Sequence, residues 1–224
     1  MFKRGGISIR QWTPAAAMLV LATSFTACSR VPGVYTYEGP SKVAQAAAGF
    51  NAKKYVDSIW SAKVMPTVHR KAVDIETLLA ALAANPSAAA KKYGTTSGVG
   101  SPPAFLVKGT GTVAKVDTSS PTGPITVALP HPKPAPGRVT LLTGPVLAGT
   151  AIRDAVGFIS FGQFPNQIDY ANVATQLNNR VKTDVVAKVD RASLKGKRVA
   201  FEGAFTLLVP SAISIVPTSL QVAG

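Results

Sequence analysis

The 224-residue chain carries 24 Lys and Arg against 10 Asp and Glu, a net charge of +14, with 46% hydrophobic residues, 15% charged residues and one cysteine. The low charged fraction excludes a disordered chain, and a single cysteine excludes an internal disulfide framework. The length suits one domain or a small pair, whose stability has to come from an apolar core.

At the N-terminus, Lys3, Arg4 and Arg10 surround the approach to an apolar run, Ala15 to Ala22, the pattern of a secretory signal over residues 1–27. The run is too short to span a bilayer, which takes about 20 apolar residues. Phe25-Thr26-Ala27-Cys28 resembles the lipobox of bacterial lipoproteins, in which the cysteine is acylated and becomes the mature N-terminus. It departs from that pattern at Phe25, where leucine is usual. The resemblance implies lipidation of Cys28, and more than one acyl chain holds a protein on a membrane without crossing it. The plainer reading, a small residue just past an ordinary cleavage site, is disfavoured because Cys28 is the sole cysteine and lies at the cut. Ser29 stands where an aspartate would mark retention at the inner membrane, which tips the expectation toward the outer one. Without residues 1–27 the net charge is +11, spread along the chain rather than concentrated among aromatics. Attraction to anionic lipid headgroups or general solubility is therefore preferred, and nucleic acid is not expected as a partner.

Residues 28–49, with Pro32, Gly33, Gly39 and Pro40 amid small polar groups, read as a tether to a single envelope domain over 50–224. Within it, 50–94 form a helical layer. Asn51 caps a first helix with Ala52, Tyr55, Val56, Ile59 and Trp60 on one face, which should stop before Pro66. Asp74 caps a second, carrying Ile75, Leu78, Leu79 and Leu82 and ending near Asn85-Pro86. Ser87 starts a third piece that closes at Gly94, with Lys91 and Lys92 in its last turn.

Beyond Gly94 the period becomes alternating, and 104–224 read as strands around one helix. Phe105 to Asp117 is a long strand kinked at Gly109 and Gly111. Strands at Ile125 to Leu129 and Arg138 to Leu142 flank a proline-rich loop, and a further short one is expected at Gly157 to Phe161. A helix follows from Asp169 to about Lys188, with Tyr170, Val173, Ala174, Leu177, Val181 and Val185 on one face. Leu194 to Phe205 and Ile213 to Val222 supply the last strands. The fold class is thus α+β, a helical layer followed by an OB-like antiparallel β-barrel with one helix between strands 3 and 4. The competing arrangement is a helix-backed antiparallel sheet that never closes.

Across Phe50 to Val222, Tyr55-Val56, Ile59-Trp60, Lys92-Tyr93-Gly94, Val107-Lys108-Gly109, Gly144-Pro145-Val146, Gly149 to Ala155, Phe161 with Asn166-Gln167, and Tyr170-Ala171 recur in order. In these the chain resembles the predicted periplasmic lipoproteins catalogued as domain of unknown function 2291. The resemblance implies a bacterial envelope lipoprotein, often encoded beside sugar ATP-binding-cassette uptake systems. It brings no catalytic residue or ligand.

The chemistry-bearing residues are sparse. His69 and His131 lack ligand-like neighbours, so no metal or cofactor is expected, and both read as surface histidines. No Gly-x-Ser-x-Gly elbow or Ser-x-x-Lys pair is present. The dense polar cluster is Arg153, Asp154, Gln163, Asn166, Gln167, Asp169 and Tyr170 among Phe158, Phe161 and Phe164. Aromatics interleaved with amides and charges suit a sugar, so Arg153, Asp154, Asn166, Gln167 and Tyr170 are candidate ligand or partner residues. The competing assignment, an Arg153–Asp154 ion pair and a helix cap, is preferred. Lys195, Lys197 and Arg198 read as a solvated turn. The functional expectation is a non-enzymatic, lipid-anchored periplasmic accessory or binding protein near a sugar transporter. Its rivals are a structural envelope protein contacting cell wall or membrane surface and, more weakly, a hydrolase whose triad is hidden in the sequence.

Overall fold

The computed structural model describes residues 49–130, 138–209 and 212–222. The signal, Cys28, nearly all of the tether and His131 lie outside them. Asn51 caps α1 (Ala52–Ile59) through its side-chain oxygen, which accepts from Lys54 N–H at 2.9 Å. The chain does not stop before Pro66 as the sequence suggests. It widens into a π turn over Trp60–Val64, where Met65 N–H bonds Trp60 O, and continues as α2 (Met65–Lys71) with Pro66 in its first turn. Proline breaks a helix because it lacks an N–H and its ring meets the carbonyl four residues back; the π turn shifts that carbonyl register by one residue.

After β1 (Val73–Asp74), Asp74 caps α3 (Ile75–Ala84) by accepting from Thr77 N–H at 3.0 Å, and the expected Ile75, Leu78, Leu79 and Leu82 are its buried face. Asn85 ends α3 and caps α4 (Pro86–Tyr93), taking Ala88 N–H at 3.0 Å. That start precedes Ser87 because Asn85 supplies the acceptor and Pro86 the preset first-turn φ.

Next come β2 (Gly94–Thr95), β3 (Ala104–Val116), β4 (Pro124–Ala128) and β5 (Arg138–Leu142), and later β6 (Arg198–Thr206) and β7 (Ala212–Val222). The five long strands pair in a closed ring, β3 to β4 to β5 to β7 to β6 and back to β3. Pairing is antiparallel except between β5 and β7, where Val139 lies opposite Ile213. This is the strand order of the OB-like reading, and the sheet that never closes is not what forms. β2 and β1 lie along the first half of β3. Pro217 is accommodated at a register shift opposite Gly203, one of the few places a strand tolerates proline.

Two helices rather than one separate β5 from β6: α5 (Ala151–Val156), which the sequence reading missed, and α6 (Gln167–Asp184). Gly157, at φ +77°, ends α5. The strand expected at Gly157 to Phe161 is absent. Ser160 instead begins a 3-10 turn, Phe161–Gln163, closed by a reciprocal Ser160–Gln163 capping box. α6 starts at Gln167 because Asn166 is its cap, and it gives way at Asp184 to short 3-10 turns. Leu194, read as the start of a strand, is fully buried at the end of the second of these turns.

The predicted helical layer divides between two cores. α3 sends Ile75, Leu78 and Leu79 into a cluster with Phe105, Ile125, Leu141, Phe201, Phe205 and Ile213 on one face of the ring, each such burial contributing about 1.5–3 kcal/mol. α1, α2, α5 and α6 pack with Leu106, Ala204 and Val216 on the other face. Successive strand residues point to opposite sides, so the start of β3, Ala104 to Val107, is buried on both faces.

The glycines of β3 serve close approach. A Cβ at Gly111 would lie 2.5 Å from the Ala128 carbonyl oxygen. Gly111→Ala should therefore destabilise the domain by about 1–3 kcal/mol, read as a loss of several degrees in the thermal unfolding midpoint.

Candidate functional site

The expected cluster assembles in part, with the polar groups of Arg153, Asp154, Asn166 and Asp169 bonded within the fold. Arg153 and Asp154 are 7% and 8% exposed, and Arg153 Nε donates to Asp154 Oδ1 at 2.8 Å. Thr150 Oγ1 donates to Asp154 Oδ2 at 2.6 Å, and Arg153 Nη1 donates to Tyr170 O at 3.3 Å. The guanidinium also lies over the Tyr170 ring, 3.7 Å from its centre. Asn166 accepts from Asp169 N–H at 2.9 Å and donates to the Asp169 carboxylate at 2.9 Å, while Gln167 is exposed on the first turn of α6. The Tyr170 hydroxyl is buried without a hydrogen-bond partner among the described residues. That burial pushes its pKa above the ordinary tyrosine value, against the opposing pull of Arg153.

An open groove of about 490 Å³ lies elsewhere, on the face of the ring crossed by β6. Strand register builds it. Lys108 on β3 is opposite Glu202 on β6, which is opposite Ser219 on β7; one step along, Thr110, Ala200 and Gln221 form a parallel row. These alternate positions point away from Phe201 and its apolar cluster, so three strands present hydroxyl, amide, ammonium and carboxylate groups side by side. His69, near the end of α2, brings Nδ1 to 2.7 Å from Glu202 Oε2, an ion pair when the imidazole is protonated. No donor among the described residues is in hydrogen-bonding alignment with that buried oxygen, which is costly for a carboxylate unless a further group approaches. Sequence reading set His69 aside and missed Lys108, Glu202, Ser219 and Gln221, because polar residues at alternate strand positions mark any solvated sheet face.

A second groove, about 350 Å³, runs between α1 and α6. Its charges neutralise each other: Asp57 takes Lys53 at 2.8 Å and Arg180 at 3.4 Å, and Arg180 also holds Asp184 at 2.9 Å. The Lys53 hydrogen bond holds the Asp57 carboxyl below its usual range, helped by the charges of Lys53 and Arg180. Lys195, Lys197 and Arg198 are exposed around the turn into β6. Among the described residues no three side chains are grouped to hold a metal ion, and no helix is long and apolar enough to cross a membrane.

A family model described as "Predicted periplasmic lipoprotein (DUF2291)" matches residues 18–221. Among solved structures the chain is similar to an OB-fold protein of Thermotoga maritima MSB8, with 25% sequence identity and a TM-score of 0.66 over 78% of this chain and 99% of the other. No curated protein matches the sequence.

The Arg153 cluster yields paired expectations. Arg153→Leu leaves Asp154 buried without its cation and should cost about 3–5 kcal/mol in denaturant unfolding, most of it recovered in Arg153→Leu/Asp154→Leu. Tyr170→Phe removes a hydroxyl that has no partner and should leave stability unchanged or raise it by about 1 kcal/mol.

Proposed function

Because this chain belongs to the domain of unknown function 2291 family of predicted periplasmic lipoproteins, we propose that it works from the envelope as a non-enzymatic, lipid-anchored binding protein accessory to a sugar uptake system of the ATP-binding-cassette class. On this reading Cys28 carries the lipid, the outer membrane is its seat, and the groove across β3, β6 and β7 takes the solute. The observation that carries the proposal is Glu202 Oε2, a buried carboxylate oxygen on a residue that lines a groove, which among the described residues meets His69 Nδ1 at 2.7 Å and has no aligned hydrogen-bond donor. Sugar hydroxyls donate and accept at once, and the Lys108, Glu202, Ser219 row together with Gln221 offers both functions within a few ångströms of strand spacing. Binding is favoured over hydrolysis because no Ser or Thr hydroxyl among the described residues hydrogen-bonds His69, as a hydroxyl nucleophile and its base would require.

A structural envelope role is the second reading, and the closed Arg153 cluster favours it: the residues with the most sugar-like composition serve the fold. The two readings part on ligand binding. Titration calorimetry against a panel of monosaccharides should give saturable heat with at least one of them. Glu202→Gln should weaken that binding about 10–100-fold, the worth of one hydrogen bond to a charged group, with the unfolding midpoint unchanged. A panel that gives no heat selects the structural role.

Replacing Cys28 with Ser should move the protein from the membrane fraction to the soluble periplasm on cell fractionation. Continued membrane attachment of that variant would remove the anchor from the proposal.

A further inference from the structure

Where the chain enters the folded body, a run of aromatic rings begins. Phe50 meets Phe164 edge-on with ring centres 5.3 Å apart, Phe164 meets Tyr170 at 5.5 Å, and Tyr170 meets Phe161 edge-on at 5.8 Å. Those contacts lead from the entry point through Phe164 and Tyr170 to Phe161, which is 50% exposed, and Ile168 on the same helix end as Tyr170 is 71% exposed. Ile168 is the second residue of α6, two before Tyr170, so it belongs to the same end of the helix. The Ser160–Gln163 capping box fixes the turn that carries Phe161, so the outward ring sits on a fixed turn. Lys53 and Lys54 are exposed on the first turn of α1, three and four residues beyond Phe50.

We infer that this end of the domain rests on the bilayer that holds the anchor, with Phe161 and Ile168 in the interfacial region and Lys54 meeting anionic headgroups. The inference builds on the lipid-anchor reading and adds an orientation to it. Twenty-one residues separate Cys28 from Phe50, a reach of at most roughly 75 Å. Phe50 is the point at which the tether joins the domain, so tethering favours this end of it over lipid. Two protruding apolar side chains without a shaped cleft suit shallow insertion, and a mature charge of +11 suits an anionic leaflet.

Cys28 is the sole cysteine and is consumed by acylation in this reading, so one added cysteine labels cleanly. The full lipoprotein carrying Gln167→Cys with a bimane label, reconstituted in phosphatidylethanolamine and phosphatidylglycerol vesicles containing brominated lipid, should be quenched several-fold more than the same protein labelled at Lys188→Cys. Lys188 follows the far end of α6 and is exposed. Adding Phe161→Asp and Ile168→Asp to the Gln167→Cys protein should abolish the difference while its circular dichroism is unchanged. Equal quenching at the two positions in protein that floats with the vesicles overturns the docking and leaves the anchor standing. Failure to float overturns both. A Gln167→Cys label that is blue-shifted yet unquenched by lipid marks a second copy of the chain at this face and also overturns the inference.

Discussion

The architecture depends on the ladder between β3 and β6. It runs from Ala104 opposite Thr206 to Thr112 opposite Arg198, joining segments about ninety residues apart in sequence. That ladder turns a set of hairpin-like pairings into a ring, and both cores are built across it. Phe105, stacked on Phe205 with ring centres 5.2 Å apart, belongs to one core. Leu106 and Ala204, one residue along each strand, belong to the other. A strand buried on two sides has little freedom of register, since a slip of one residue would exchange the two faces.

The same ladder also builds the groove over β3, β6 and β7. Helices α1, α2, α5 and α6 cover one region of the ring's outer face, and α3 lies against the other core. An open groove remains on the stretch of β3, β6 and β7 that carries Lys108, Glu202 and Ser219, edged by His69. The polar cluster lies on α5 and the start of α6, where Arg153 and Asp154 are closed by hydrogen bonds to each other, Thr150 and Tyr170 O. Its composition matched a sugar site because sugar recognition and burial of an arginine ask for the same groups: an aromatic face, a carboxylate and amide or carbonyl acceptors.

Most of the fold was legible in the sequence because its signals are local. Asn51 and Asp74 cap the helices expected of them, the α3 stripe is the buried one, and alternation marks the five long strands. Misreadings occurred where a nonlocal arrangement outweighed a local signal. Pro66 was read as a helix stop, and a π turn absorbed it. Gly157 to Phe161 alternates like a strand, yet Gly157 ends α5 and Ser160 caps a 3-10 turn, so local capping takes the segment instead. The six-residue α5 is too short to show a period. The groove was illegible because His69, Lys108, Glu202 and Ser219 meet only through the ring closure, and each alone resembles an ordinary surface residue.

The way β1 and β2 lie along β3 carries a further consequence. β4 pairs with β3 only from Thr112 to Val116, which leaves the strand's first half without a long neighbour on that side. β2 occupies Ala104 and Phe105, and β1 occupies Val107 and Lys108. A bare, apolar strand edge is a template for pairing with other chains, and lipoproteins held on one membrane meet each other at high two-dimensional density. Two dipeptide strands thus cover the edge of β3 that β4 leaves open, and so withdraw it as a template for pairing.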